Sequence, residues 1–108
     1  MANTFKNSFS QAVGQSSTTI YTAGSGVQAT VIGMTVANIT QSDVKANVMV
    51  TSSGTDYFLV KNALIEPGSA LVPIGGDQKL VLEANDLIKV QSDTSSSLDV
   101  ILSVLEIS

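Results

Sequence analysis

Nine carboxylates are the side chains in this sequence with the clearest capacity for acid–base or metal chemistry: Asp43, Asp56, Glu66, Asp77, Glu83, Asp86, Asp93, Asp99 and Glu106. Glu83 and Asp86 are three positions apart, so one could donate and the other accept a proton. Asp77, Asp93 and Asp99 would make an oxygen-rich calcium site if their loops converged, but no stretch has the Asp-x-Asp-x-Asp-Gly spacing of a calcium loop. Nearly all nine sit in or beside stretches that read as turns, where Asp is favoured because it accepts backbone N–H groups. Gly24-Ser25-Gly26 and Gly75-Gly76 lack the rest of a phosphate-binding fingerprint, and no helix is expected after either. Turn glycine is their expected role.

The chain contains no His, Cys, Trp or Arg. A serine nucleophile therefore has no imidazole base, a zinc ion no ligands of the usual nitrogen and sulfur type, and a phosphate no guanidinium fork. This composition points away from an enzyme, and implies no cofactor and no metal. A third alternative, a hydrolase, lacks the base it needs. With 108 residues the chain reads as one domain with one core. Five lysines (Lys6, Lys45, Lys61, Lys79, Lys89) against nine acids give a net charge of −4. They are scattered rather than clustered, which argues against nucleic acid or an anionic membrane as partner. Nothing near Met1 resembles the apolar core of a secretory signal, so synthesis in a cytoplasm is expected.

Hydrophobic residues make up 44% of the chain and charged residues 13%, about half the usual charged share. The remainder is rich in Ser and Thr, a mixture that suits strands better than helices. Residues 1–15 read as an N-terminal arm, with Phe5, Phe9 and Val13 spaced four apart as anchors. Residues 16–108 read as a β-sandwich domain, because turn clusters recur every 8–12 residues. The expected strands are Ser17–Ala23, Gln28–Ala37, Val44–Thr51, Asp56–Lys61, Ala70–Ile74, Lys79–Leu82, Leu87–Gln91 and Leu98–Ile107. In the second, alternation places Ile32, Met34 and Val36 on one face and Val31, Gly33 and Thr35 on the other. In the third, Val44, Ala46, Val48 and Val50 oppose Lys45, Asn47 and Met49. Gly14-Gln15-Ser16 and the loop from Ser92 to Ser97 read as solvent-facing. About eight short strands with short connections imply antiparallel pairing and two facing sheets, an all-β sandwich of jelly-roll type.

The last strand is apolar on both sides. Leu98, Val100, Leu102 and Val104 share one face; Ile101, Leu105 and Ile107 share the other with Asp99 and Ser103. Such a strand is covered by another segment or presents an apolar patch. Phe5, Phe9, Met49, Ile101, Leu105 and Ile107 are accordingly the candidate subunit contacts.

Four stretches resemble small structural proteins of tailed-phage virions, especially those of marine phages. They are Ser17-Thr18-Thr19-Ile20-Tyr21-Thr22-Ala23-Gly24-Ser25-Gly26, Ala29 to Asn38, Leu80 to Val90 with its turn Glu83-Ala84-Asn85-Asp86, and Leu98 to Ile107. Asn85 stands where that pattern usually has Gly, and Asn also tolerates the left-handed conformation. The resemblance covers roughly residues 17–107 and brings no catalytic residues with it. It implies a multi-copy virion component, first a head decoration subunit and next a tail, neck or fibre subunit. The implied partners are copies of the chain itself, a trimer being favoured, and other virion proteins such as the major capsid protein. The alternative from another class is a host-glycan-binding adhesin module, which would cluster exposed aromatics at one loop end.

Overall fold

Alternation of apolar and polar residues becomes nine strands in the computed structural model, which describes residues 3–75 and 79–108. Asp77 and the turn residue Gly76 lie outside the described residues. The strands are β1 (Asn3–Val13), β2 (Thr18–Thr22), β3 (Gln28–Asn38), β4 (Val44–Ser52), β5 (Thr55–Ile65), β6 (Ala70–Ile74), β7 (Leu80–Leu82), β8 (Leu87–Ser92) and β9 (Leu98–Ile107). One sheet has the order β1-β9-β3-β6, with β7 also on β3, and the other has β2-β8-β4-β5. All pairings are antiparallel.

Nested pairing explains this order. β1 pairs with β9, β2 with β8, β3 with β6 and β4 with β5, as in one long antiparallel ribbon whose tip is the β4–β5 hairpin. Rolling the ribbon places successive pairs in alternate sheets, which is the jelly roll expected from the sequence. The turns have the residues that their geometry demands. Ser53 and Gly54 both have positive φ (51° and 81°), matching the hairpin twist of the flanking strands. Asn85, at φ 72°, takes the left-handed position of its turn, and the Asp86 N–H donates to the Glu83 carbonyl at 3.0 Å.

Residues 3–13 are not an arm apart from the sandwich but an integral strand of it. β3 occupies one edge of β9, and β1 occupies the other in continuous register from Asn3↔Ile107 to Ser10↔Val100. The four-residue spacing suits a strand, because period two also puts Phe5 and Phe9 on one face. A bulge then breaks the register between Ser10 and Val13. Ala12 has φ 55° and its N–H donates to Asp99 Oδ1 at 2.9 Å, and Val13 reaches the core. A second bulge corrects the expected faces of β3. The register shifts between Val31 and Gly33, so Ala29 and Val31 point inward before it, and Met34 and Val36 after it. Ile32 stays half-buried outside the core cluster. The faces of β4 and β9 follow simple alternation, with Val44, Ala46, Val48, Leu98, Val100, Leu102 and Val104 in the core.

The Ser92–Ser97 loop also departs from its expected exposure, because Ser92 and Ser97 are buried at its two ends. Their hydroxyls bond to each other, Ser92 Oγ accepts from the Thr94 N–H at 3.0 Å, and Ser97 Oγ donates to the Thr94 carbonyl at 2.7 Å. Burial is tolerated because these polar atoms have partners. Gly14 is closely packed here: a Cβ on it would lie 3.4 Å from the Ser96 nitrogen. Buried Asn38 closes the next turn, donating to the Ser42 and Ile65 carbonyls (2.8 and 2.9 Å) and accepting from the Thr40 N–H (2.8 Å).

A polar clasp crosses between the sheets. Tyr21 on β2 donates its phenol hydrogen to Glu106 on β9, which also pairs with Lys6 on β1 at 3.1 Å. The Tyr21 bond, then Lys6, holds the Glu106 carboxyl below its ordinary value of 4.5. Burial, reinforced by Glu106, pushes the Tyr21 phenol far above its ordinary 10.0.

Two predictions follow from this packing. Leu102 is fully buried whereas Ile101 beside it is 49% exposed. Leu102→Ala should cost about 2–5 kcal/mol in chemical denaturation, and Ile101→Ala less than about 1 kcal/mol. The clasp sets two pH limbs. Glu106 stabilises above its unfolded value and ceases to do so as pH falls through its lowered folded value. Tyr21 stabilises below pH 10.0 and ceases to do so as pH rises toward its raised folded value. Melting temperature against pH should show Glu106→Gln shrinking the acid limb and Tyr21→Phe flattening the alkaline one; unchanged limbs in both variants would remove the clasp from the stability account.

Candidate assembly surface

Five of the six candidate contact residues converge on one surface, the outer face of the β1-β9-β3 sheet. Cross-strand partners share a face, and the register gives two apolar rungs. Phe5 pairs with Leu105, Leu105 with Thr30, and Thr30 with Val81. Phe9 pairs with Ile101, and Ile101 with Thr35. Ile107 ends the same face opposite Asn3 and Gln28. Between the rungs lie Asn7, Ser103 and Gly33, where the Ser103 hydroxyl donates to Asn7 Oδ1 at 2.8 Å. Phe5 is 74% exposed and Phe9 68%. Leu105 and Ile107 are half-buried.

Met49 is the exception. It lies on the other sheet, in register with Phe58 on one side and Lys89 on the other, and is only 3% exposed. It has no accessible surface to offer a partner in this chain. Period two places it on the outer face of that sheet but does not reveal its burial there; the register shifts beside Val48 belong to β5, which has the extra residues.

Three apolar residues of the outer face escaped the sequence reading. Val81 on β7 and Val72 on β6 are exposed. Ile32 lines a shallow depression with Phe5, Asn7 and Ser103. Val81 was legible in the alternation Leu80-Val81-Leu82, whereas Ile32 was hidden by the bulge that reverses its side of the strand.

The opposite outer face combines a network of polar side chains with exposed Phe58 and Leu64 on β5. Asp56 accepts from Thr51 and pairs with Lys89 at 3.5 Å. Asn47 donates to Gln91 Oε1 at 3.3 Å and accepts from the Asn62 N–H at 2.7 Å. The Thr51 hydroxyl, then the Lys89 charge, holds Asp56 below the usual carboxylate range. Asp93 is lowered chiefly by the Lys45 N–H, which donates to its carboxylate at 3.1 Å, and then by Thr94. These acids serve the backbone and their neighbours. Asp86 Oδ2 accepts from the Glu83 N–H at 3.0 Å, so the Glu83/Asp86 candidate pair is engaged in its own turn. Among the described residues no cluster of three or more acids is positioned to hold a metal ion.

No family model matches this chain, and no curated protein matches it. Its fold is similar to that of a chain in a solved structure described as "Bacillus endospore appendages form a novel family of disulfide-linked pili". The TM-score is 0.59 at 11% sequence identity, over 99% of this chain and 87% of the other. At that identity the likeness is one of fold, the two-sheet β architecture described above.

Proposed function

We propose that this chain is a non-catalytic structural subunit that assembles in many copies. The observation that carries the reading is the pair of apolar rungs on the outer face of the first sheet, with Phe5, Phe9, Ile101 and Val81 all exposed there. Several large apolar side chains exposed on one face of a small domain are typical of a protein–protein contact. The fold it shares with a pilus protein supports the same reading. The pili of that description are disulfide-linked; this sequence has no cysteine, so contacts between its copies would not be disulfides.

The particle we assign is a virion, on the strength of the four stretches similar to tailed-phage structural proteins. In that setting the chain decorates a head, contacting its own copies and the major capsid protein after synthesis in the host cytoplasm; a tail, neck or fibre position rests on the same residues. Trimers are the favoured closed arrangement. A glycan-binding module would gather aromatics at one loop end, whereas Phe5 and Phe9 lie along β1, and Tyr57 and Phe58 along β5.

Light scattering behind size-exclusion chromatography checks this directly. The wild-type chain should elute at a multiple of its 11.2 kDa, and Ile101→Asp/Val81→Asp should lower the mean mass while circular dichroism remains that of a β-protein. A wild-type protein that stays strictly monomeric and ignores purified capsids would sink the reading.

A further inference from the structure

We infer that copies of this chain join side by side by strand pairing, the free edge of β1 in one copy against the free edge of β5 in the next. The inference rests on the multi-copy reading above and adds which backbone edges make the contact.

A rolled ribbon of two open sheets leaves four edges, and unpaired edges are ready templates for another strand. Two of the four are blunted. β2 has five residues and a register shift between Thr19 and Tyr21. The far edge of the first sheet is divided between β6 and β7, of five and three residues. β6 also contains Pro73, which has no N–H to give. The other two edges are long. β1 and β5 have eleven residues each and neither contains proline; β5 has two bulges, between Phe58 and Ala63, but keeps pairing with β4 on both sides of them. β1 runs in unbroken register from Asn3 to Ser10, and its one charge, Lys6, is engaged with Glu106 inside the clasp. The usual devices that protect an edge, namely shortness, proline and projecting charge, are missing from most of its length.

The side chains suit such a contact. Phe5 and Phe9 on β1, and Tyr57, Phe58 and Leu64 on β5, are all exposed. Backbone hydrogen bonds would supply the attraction, and cross-strand aromatic pairs the register. Position decides the mode. β1 lies at the flank it shares with β2, and β5 at the flank it shares with β6. A β1-to-β5 contact is therefore head-to-tail: each copy keeps one open edge for the next, and the series grows until it closes as a ring or continues as a filament. A β1-to-β1 contact would stop at a pair and leave β5 open. Strand addition at β1 also prolongs the first sheet beside its apolar rungs.

The chain has no native cysteine, so introduced thiols report contacts without background. Asn7→Cys on β1 and Lys61→Cys on β5 replace exposed residues near the middle of each strand. Each variant alone and an equal mixture would be treated with a short bismaleimide, after circular dichroism and light scattering have shown wild-type fold and mass. The mixture should give several-fold more covalent dimer than either variant alone, with the Asn7→Cys and Lys61→Cys peptides joined in mass spectra. Abundant dimer from Asn7→Cys alone would overturn the proposal in favour of two-fold β1 pairing. Multimers that cross-link in no combination would overturn the edge contact while leaving the multi-copy reading intact, and a monomer would end both.

Discussion

β9 is the strand on which the rest of the structure depends. It is paired along both edges, to β1 and β3, and is apolar on both faces. Its inner face, Leu98, Val100, Leu102 and Val104, lies at the centre of the core. Its outer face, with Ile101, Leu105 and Ile107, is what the first sheet shows to the surroundings. Burying one row by the hydrophobic effect fixes the strand's register, because a one-residue slip would exchange the rows. The outward row is then committed to the surface. Core and exposed apolar face are thus two consequences of one strand.

β1 follows from the same constraint. Without it, the backbone groups on one side of β9 would have no partners, and unpaired polar groups near a core are costly. Pairing by β1 moves the open edge outward by one strand, and the clasp of Lys6, Glu106 and Tyr21 ties that strand to β9 and across to β2. The open edge then consists of residues that the core does not claim, and Phe5 and Phe9 extend the apolar rungs to the rim. The two outer faces differ accordingly. The second sheet satisfies its polar side chains internally through Thr51, Asp56, Lys89, Asn47 and Gln91 and leaves Tyr57, Phe58 and Leu64 exposed along β5, whereas the first presents its apolar rungs across β1, β9 and β7.

Several carboxylates and amides of this arrangement are engaged by the chain's own backbone. Asp86, Asp93 and Asp99 accept backbone hydrogen bonds in turns and at bulges, where a carboxylate substitutes for a missing strand partner. Asn38, Asn47 and Asn85 serve similar ends, closing a turn, supporting the bulge at Asn62 and adopting the left-handed backbone. The polar residues of the chain act largely on its own backbone.

Much of this was legible in the sequence. The alternation in Val44–Val50 and Leu98–Val104, the Pro67-Gly68 turn and the turn at Asn85 follow from local rules: side chains alternate along a strand, and a few residue types adopt turn dihedrals at low cost. Those rules determined an antiparallel sandwich with a two-faced last strand, and hence the outward row of Ile101, Leu105 and Ile107. The tertiary structure alone decided where alternation breaks. The bulges near Ile32 and Ala12 each insert an irregularity that changes the face a side chain takes, so that Ile32 joins the outer face and Val13 enters the core, while Met49 is buried on the second sheet although β4 alternates regularly. It also decided that residues 3–13 are a strand and that Ser92 and Ser97 are buried. A strand's place in a sheet, and the partners that make a buried hydroxyl tolerable, come from segments distant in the chain, and no local pattern encodes them.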